Sequence, residues 1–416
     1  MYAEASPSQA AAAAEAGAKL GLAGVILNVR ESERQEAQDT LRKLRSTYPH
    51  LRFLVLNADG KQPQMRGGLI IKRDAILEIS SPTAQPWIDT NLALIRIEQV
   101  SDPEQIPLYT FSWNFSDPAQ QERGPTAEDY LLAVAEAGAF HADLLLDLPD
   151  ELQKGLAQND ARAWALWNQV KPYVDFYSHA PRTREEPAAN VGVVADNLDT
   201  SYEPMNLMAR HNIPFRVLHL SDLKSGDLNG FDLMVVFDKP DKEAGARISE
   251  IAAHGATVVL VDLQGSYPWQ TAQPERMNEH TVSYVVGKGR VLELSEPVTD
   301  PETFAQDIRR LMARPQVLIS LWNALTTVAV PYRANDGMIR ELELINYAVQ
   351  PLRVQVRVKG LFSSLRYETP EHGCCESLTP VQHDGFTEFV VPGLRIAGRV
   401  HLEMQNGSEP SRARPK

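Results

Sequence analysis

The chain has 416 residues, of which 43% are hydrophobic and 23% charged, enough for roughly two to four domains with separate cores. Its net charge of −13 argues against non-specific nucleic-acid binding. No apolar run approaches the ~20 residues of a membrane-spanning helix, so no membrane partner is expected.

The first residues, MYAEASPSQAAAAAEAGAKL, lack a basic segment followed by an apolar one. They read as a tail and an alanine-rich helix. A soluble protein is expected, either cytoplasmic or exported after signal removal. Strands and helices then alternate. GLAGVILNV reads as a first strand, ESERQEAQDTLRKLRSTY as an amphipathic helix, and LRFLVLNADG as a second strand. GGLIIK, LALIRIEQ and PLYTFSWNF read as strands three to five. TAEDYLLAVAEAGAF is a helix with Thr126 as N-cap, and ADLLLDLP is the sixth strand. In the helix DARAWALWNQVKPYVDFYSHAP, Trp164, Trp167, Tyr173 and Phe176 recur at helical spacing, which favours a core role over a sugar platform. This β/α layer is expected to be an abbreviated or partial (β/α)8-type barrel, since a full barrel takes ~250 residues.

From Asn190 to Leu263 the βαβ spacing is clearest, in NVGVVADN, FRVLHLSDL, FDLMVVFD and ATVVLVDL. Parallel strands buried on both faces are predicted. Asp196, Asp222, Asp238 and Asp262 close these strands, where open α/β sheets place ligands. The segment resembles the flavodoxin-like, class I amidotransferase-like fold. It has no glycine-rich phosphate loop, and the only cysteines, Cys374 and Cys375, lie far downstream of any strand-to-helix elbow. A scaffold or assembly role follows. A flavin-dependent or amidotransferase-type enzyme is correspondingly disfavoured, and no cofactor is implied.

After ETFAQDIRRLMARP the texture becomes period-two: VLISLWNALTTVAVPYR, IRELELINYA, LRVQVRVKG, SLRYETPE, FTEFVVPGL and GRVHLEM. Leu352, Val354, Val356 and Val358 line one face, and turn formers stand at 335–337, 384–385 and 392–393. An antiparallel β-sandwich is predicted. PEHGCCESL reads as a connecting loop with two free thiols, because adjacent cysteines do not form an ordinary structural disulfide without strain; the competing reading is a vicinal redox device. The polar tail NGSEPSRARPK is expected to be disordered.

The order of these segments (a β/α layer, a helix ending in YVDFYSHAP, the parallel sheet, then a β domain with INY and VPGL strands) resembles the bacterial β-galactosidases of glycoside hydrolase family 42. The resemblance is one of architecture. It implies a β/α barrel domain over 1–187, an amidotransferase-like trimerisation domain over 188–314, an antiparallel β domain over 315–405, and a tail over 406–416. It also implies a carbohydrate ligand and a homo-oligomer, either dimer or trimer.

Glycoside cleavage needs a protonated and an ionised carboxyl flanking the bond, and barrels place such groups at the carboxyl ends of strands. The residues in those places here are Asn28, Arg30 and Glu31; Asn57 and Asp59; Lys72, Arg73 and Asp74; Glu98; Trp113, Asn114 and Asp117; Asp147 and Asp150. If the sixth strand is the last of a barrel, the family's two catalytic glutamates fall on Asn57-Ala58-Asp59 and Ser112-Trp113-Asn114, and neither place holds Glu. A different arrangement pairs Asp59 with Glu98 as the catalytic carboxylates. Trp113 would stack on a sugar, with Asn114 and Asp147 bonding its hydroxyls. Bland roles compete: Asp59 in the turn NADG, Glu98 solvated or paired with Arg96 or Lys72, Trp113 in the core, and Asp147 capping the next helix. No metal-ligand spacing occurs among the ten histidines, and no GxSxG elbow is present. Two functions are thus expected: a glycoside hydrolase-like protein using paired carboxylates, or an inactive relative serving as a carbohydrate-binding or assembly module.

Overall fold

The computed structural model describes residues 1–57, 64–66, 90–101, 103, 106–112, 122, 125–178 and 186–404, less 227, 229, 335 and 349. It divides into two units, Met1–Arg182 and Thr183–Lys416.

The first unit is built on a parallel sheet of β1 (Tyr2–Ala5), β2 (Gly24–Val29), β3 (Arg52–Asn57), β4 (Gln64–Arg66), β5 (Leu108–Ser112) and β6 (Asp143–Asp147). Its order is β3-β2-β1-β6-β5-β4, so the first strand pairs with both the second and the sixth. The expected N-terminal tail is therefore a central strand. Tyr2 and Ala5 are buried, but four residues are too short a run for alternation to register. The alanine-rich helix is present as α1 (Ala10–Leu20). In α2 (Arg34–Thr47), Ala37, Leu41 and Leu44 fall on one buried face.

LALIRIEQ is a helix, α3 (Leu92–Ser101), and not the expected fourth strand. Leu92 and Ala93 are buried together, as are Ile95 and Arg96, a pattern of helical faces. The buried Thr90 Oγ1 accepts from Leu92 N at 3.3 Å, and the Glu136 carboxylate takes Asn91 Nδ2 at 2.8 Å, which fixes the helix start. A short apolar run carries none of this, because length and anchoring decide between strand and helix. GGLIIK lies outside the described residues, as does the expected tail over 406–416. The helix α4 (Ala127–Ala139) begins as expected at Thr126, whose N–H donates to Asp129 Oδ2 at 2.7 Å in a capping box. After α5 (Asp150–Ala157), helix α6 (Ala161–Ser178) buries Trp167 and Tyr173. The Trp167 indole donates to Leu20 O at 3.3 Å, so Trp167 and Tyr173 are core, while Trp164 and Phe176 are half-buried.

The second unit opens with β7 (Glu186–Pro187) and continues through β8 (Val191–Val194), β9 (Phe215–Leu218), β10 (Leu233–Val236) and β11 (Thr257–Val261). Helices α7 (Leu198–Arg210) and α8 (Lys242–His254) are two of the crossovers. These four strands are the predicted buried parallel set, and β8 and β10 are buried throughout. β12 (Pro274–Arg276), β13 (Thr281–Val286) and β14 (Gly289–Leu294) complete a seven-stranded mixed sheet, β12-β13-β14-β11-β10-β8-β9. Its core joins Val194, Met234, Val236, Ile248, Leu260 and Trp269.

After α9 (Pro301–Leu311) come β15 (Ile319–Trp322), β16 (Thr327–Arg333), β17 (Ile339–Asn346), β18 (Leu352–Lys359), β19 (Ser364–Thr369), β20 (Gly373–Leu378), β21 (Val381–His383), β22 (Phe386–Leu394) and β23 (Ala397–Glu403). They form sheets of order β15-β18-β22-β21 and β20-β19-β23-β17-β16-β7. Val354, Val356 and Val358 are fully buried, with Leu352 packed beside them, as the alternation predicts. Asp384 and Gly385 have φ of 49° and 82° and join β21 to β22 in a two-residue hairpin turn. Pro392 and Gly393 do not turn the chain. They lie within β22, opposite a register shift between Leu352 and Val354. PEHGCCESL is also no loop: it contains β20, and Cys374 and Cys375 are disulfide-bonded to each other.

Three side chains stitch the mixed sheet to the antiparallel strands. Asn212, with φ of 53° just past α7, donates from Nδ2 to Thr327 O at 3.0 Å and accepts from Ala329 N at 2.7 Å. Arg309 of α9 donates to Ile319 O and Ser320 Oγ, both at 3.0 Å. Asn190 Nδ2 reaches Asp232 Oδ2 and Gln316 O, both at 2.6 Å.

On the face of the six-stranded sheet opposite Val400 and Leu402, Arg399 lies between three carboxylates. It meets Glu343 at 2.6 Å, Glu368 at 3.1 Å and Glu341 at 3.4 Å. Glu343 is fully buried, and burial pushes its carboxyl above the ordinary range against the pull of Arg399. Removing the cation strands that charge, so Arg399→Met lowers unfolding free energy by about 3–5 kcal/mol. Arg399→Met with Glu343→Leu recovers most of it, as read by urea unfolding. At the start of α9, Asp300 accepts from Thr303 Oγ1 at 2.6 Å and from the Thr303 and Glu302 amides at 3.1 Å. The Thr303 bonds chiefly hold its carboxyl below the usual range. A depressed folded value gives stability that is present above the unfolded pKa and is lost as pH falls through the folded one. Asp300→Ala thus costs about 1 kcal/mol at neutral pH and less in strong acid, checked by unfolding at both pH values.

Candidate functional site

The carboxyl edge of the first sheet is where a β/α enzyme would assemble its groups. Asp147 is the last residue of β6 and pairs with Ser112, the last residue of β5, so its backbone stands on that edge. Asp59, Trp113 and Asn114 lie outside the described residues. Glu98 does not follow a strand. It is half-buried on α3, a helix tied to α4 and its end by Asn91–Glu136 and by Gln99 Nε2, which donates to Phe140 O at 3.2 Å. The strand-end placement that paired Glu98 with Asp59 is thereby corrected: the residue belongs to the helical layer.

The amino-terminal edge of the same sheet carries a cleft of about 390 Å³, lined by Ala23, His50, Arg52, Asp175 and Ser178 among others. Asp175 is occupied there by Lys171, at 2.7 Å through Oδ1. This edge is opposite the one that gathers chemistry in α/β sheets, and the cleft reads as structural.

The mixed sheet has its own candidate. β8 lies between β9 and β10, so the chain leaves β8 to one side and returns on the other, which makes a topological switch point. Asp196, His219 and Asp238 follow those strands and converge. His219 Nδ1 lies 2.8 Å from Asp196 Oδ1, and Leu220 N donates to the same oxygen at 3.2 Å. Asp238 Oδ2 accepts from Asp196 N at 2.5 Å, and Asp222 Oδ2 accepts from His219 N at 2.8 Å. Next to them Asp241 caps α8 through Ala244 N at 2.9 Å and pairs with Lys224. The amide bond chiefly lowers the Asp241 carboxyl, and the Asp241 bond chiefly raises Lys224.

The chemistry of this edge is decided by who holds the backbone donors. A phosphate or oxyanion would need the amides of Asp196, His219 and Leu220. Each already donates to a carboxylate of the chain itself. Three acidic side chains then repel an anion. His219 is 29% exposed, and Asp196 holds its ring through Nδ1 without a nucleophile within its described contacts. The arrangement suits a self-capped scaffold edge. Sequence reading names the acids that close the strands but leaves His219 among scattered histidines, since its link to Asp196 spans 23 residues.

No family model and no curated protein matches the chain. Solved structures match its fold. Alpha-L-fucosidase isoenzyme 2 from Paenibacillus thiaminolyticus aligns with a TM-score of 0.52 at 14% identity, covering 92% of this chain and 77% of the fucosidase. The beta-galactosidase from Bacillus circulans sp. alkalophilus aligns at 0.52 and 10% identity, covering 89% and 66%. A catalytic mutant of a GH42 beta-galactosidase from G. stearothermophilus aligns at 0.50 and 11% identity, covering 89% and 67%. The chain spans about two thirds of the length of these galactosidases. At such identities the likeness concerns the fold alone. The chain has a glycoside hydrolase-like, mixed α/β fold, and the GH42-like architecture expected from its segment order fits it.

Proposed function

We propose that this protein binds carbohydrate at the carboxyl edge of its N-terminal parallel sheet, as a non-catalytic relative of glycoside hydrolases. The observation that carries the choice between binding and cleavage is the position of Glu98 on α3. Cleavage through Asp59 and Glu98 needs two carboxyls flanking one bond, ~5–9.5 Å apart, and a helical Glu98 does not share the strand-end logic that nominated the pair. Binding needs less: an aromatic face, a few hydrogen-bonding groups and a fixed edge. Trp113 and Asn114 follow β5 in sequence, and Asp147 ends the adjacent β6; in this proposal Trp113 stacks on the sugar, and Asn114 and Asp147 bond its hydroxyls.

In the same proposal the barrel-type domain covers 1–187, an amidotransferase-like domain 188–314 and a β-sandwich 315–405. The middle domain is an assembly element through which copies associate as a dimer or trimer. Its self-capped switch point supports that role better than a cofactor site.

The test is a paired one. Nitrophenyl glycosides and oligosaccharides are screened for turnover by the chain and by Glu98→Gln, and the same sugars are titrated calorimetrically. The expected result is no turnover and saturable heat for at least one sugar, with Trp113→Ala weakening binding about three- to tenfold. Turnover that collapses in Glu98→Gln overturns the binding reading in favour of hydrolysis through Asp59 and Glu98.

A further inference from the structure

Cys374 and Cys375 lie on β20, the edge strand of the six-stranded sheet, with Cys374 exposed and Cys375 half-buried. Register explains what they face. Tyr367 pairs with Glu376 and Thr369 with Gly373, so one residue of β19, Glu368, stands opposite two of β20. This is a β-bulge, and bulges re-aim side chains. Here a Glu368 carboxylate oxygen and the two sulfurs fall within 4.8 Å of one another. Behind them, His401 Nε2 and Arg399 Nη1 each lie 3.1 Å from Glu368 Oε1, which orients the carboxylate.

We propose that Cys374, Cys375 and Glu368 form a redox-gated site for a thiophilic divalent cation of the zinc and cadmium class. In the disulfide form no thiolate is available and the site is closed. A dithiol reductant opens it: two electrons and two protons pass to the sulfurs, the S–S bond breaks, and the reductant closes to its own disulfide. The cation then takes two thiolates and one carboxylate oxygen, and the two thiol protons leave to solvent. Soft sulfur ligands select this class of ion, and three protein donors leave a fourth tetrahedral position for water. Arg399 and His401 act as positioning residues through the carboxylate.

The experiment uses the full chain, purified in air, before and after reduction with a phosphine that is then removed. Iodoacetamide labelling by intact mass is expected to be absent before reduction and to add two groups after it. Titration with cadmium alone is expected to give a thiolate-to-metal charge-transfer band in the reduced chain only, saturating at one ion with proton release. Glu368→Gln is expected to weaken binding about 10- to 100-fold, and the double variant Cys374→Ser with Cys375→Ser to abolish the band. Unchanged circular dichroism for both variants separates site loss from unfolding. Labelling before reduction, a band in the oxidised chain, or cadmium binding that survives the double variant each overturns the proposal. Full affinity in Glu368→Gln removes the carboxylate from the site and overturns the three-donor geometry.

Discussion

The second unit is closed on itself by a ladder of two residues. Glu186 and Pro187 pair antiparallel with Arg333 and Tyr332, Ala188 N donates to Pro331 O at 2.8 Å, and Arg333 meets Glu186 at 3.2 Å. The chain thus adds a strand to the terminal six-stranded sheet before it builds the mixed one. Everything between β7 and β16 is a closed excursion whose two ends meet in that ladder. The entropy of such a closure grows only as the logarithm of loop length, so a whole α/β layer can be inserted there for little more than a long loop would cost. What then holds the layer to its base is polar and local. Asn212 occupies a donor and an acceptor of β16 as a strand residue would, and Arg309 and Asn190 donate to the carbonyls of Ile319 and Gln316.

Burial of charge is the second constraint. Arg399 is 4% exposed and Glu343 is wholly buried, yet each lies on a strand whose other face joins an aliphatic core. Such groups are tolerated only as a set, because a lone member would keep the full desolvation penalty. That set passes from Glu341 and Glu343 on β17, through Arg399 and His401 on β23, to Glu368 on β19. The interior of the sheet is therefore in electrical contact with its rim, where the cysteines lie.

Much of this was legible in the sequence where the signal is periodic. The buried strands β8 to β11 and the valine face of β18 follow directly from runs of apolar residues and from period-two alternation. Thr126 as N-cap announced the start of α4. What was hidden is either too short or too distant. YAEA has too few residues to display a period, and its burial is set by β2 and β6 on either side. LALIRIEQ has the composition of a strand, and its anchoring as a helix rests partly on Glu136 and Phe140, far along the chain. The candidate site suffers most, because Glu98 was nominated by that same strand assignment. The bulge that brings Glu368 to Cys374 and Cys375 is a matter of register, which single residues do not spell out.

The outer boundary of the mixed sheet has one more consequence. β12 is three exposed residues long, and it contains Pro274, Glu275 and Arg276. Proline presents no amide hydrogen, and two opposite charges beside it resist an apolar neighbour. A fourth antiparallel strand from another molecule would find no continuous ladder to extend. The mixed sheet is thus closed to fibre-like growth along that margin, and a molecule that meets it there does so through side chains.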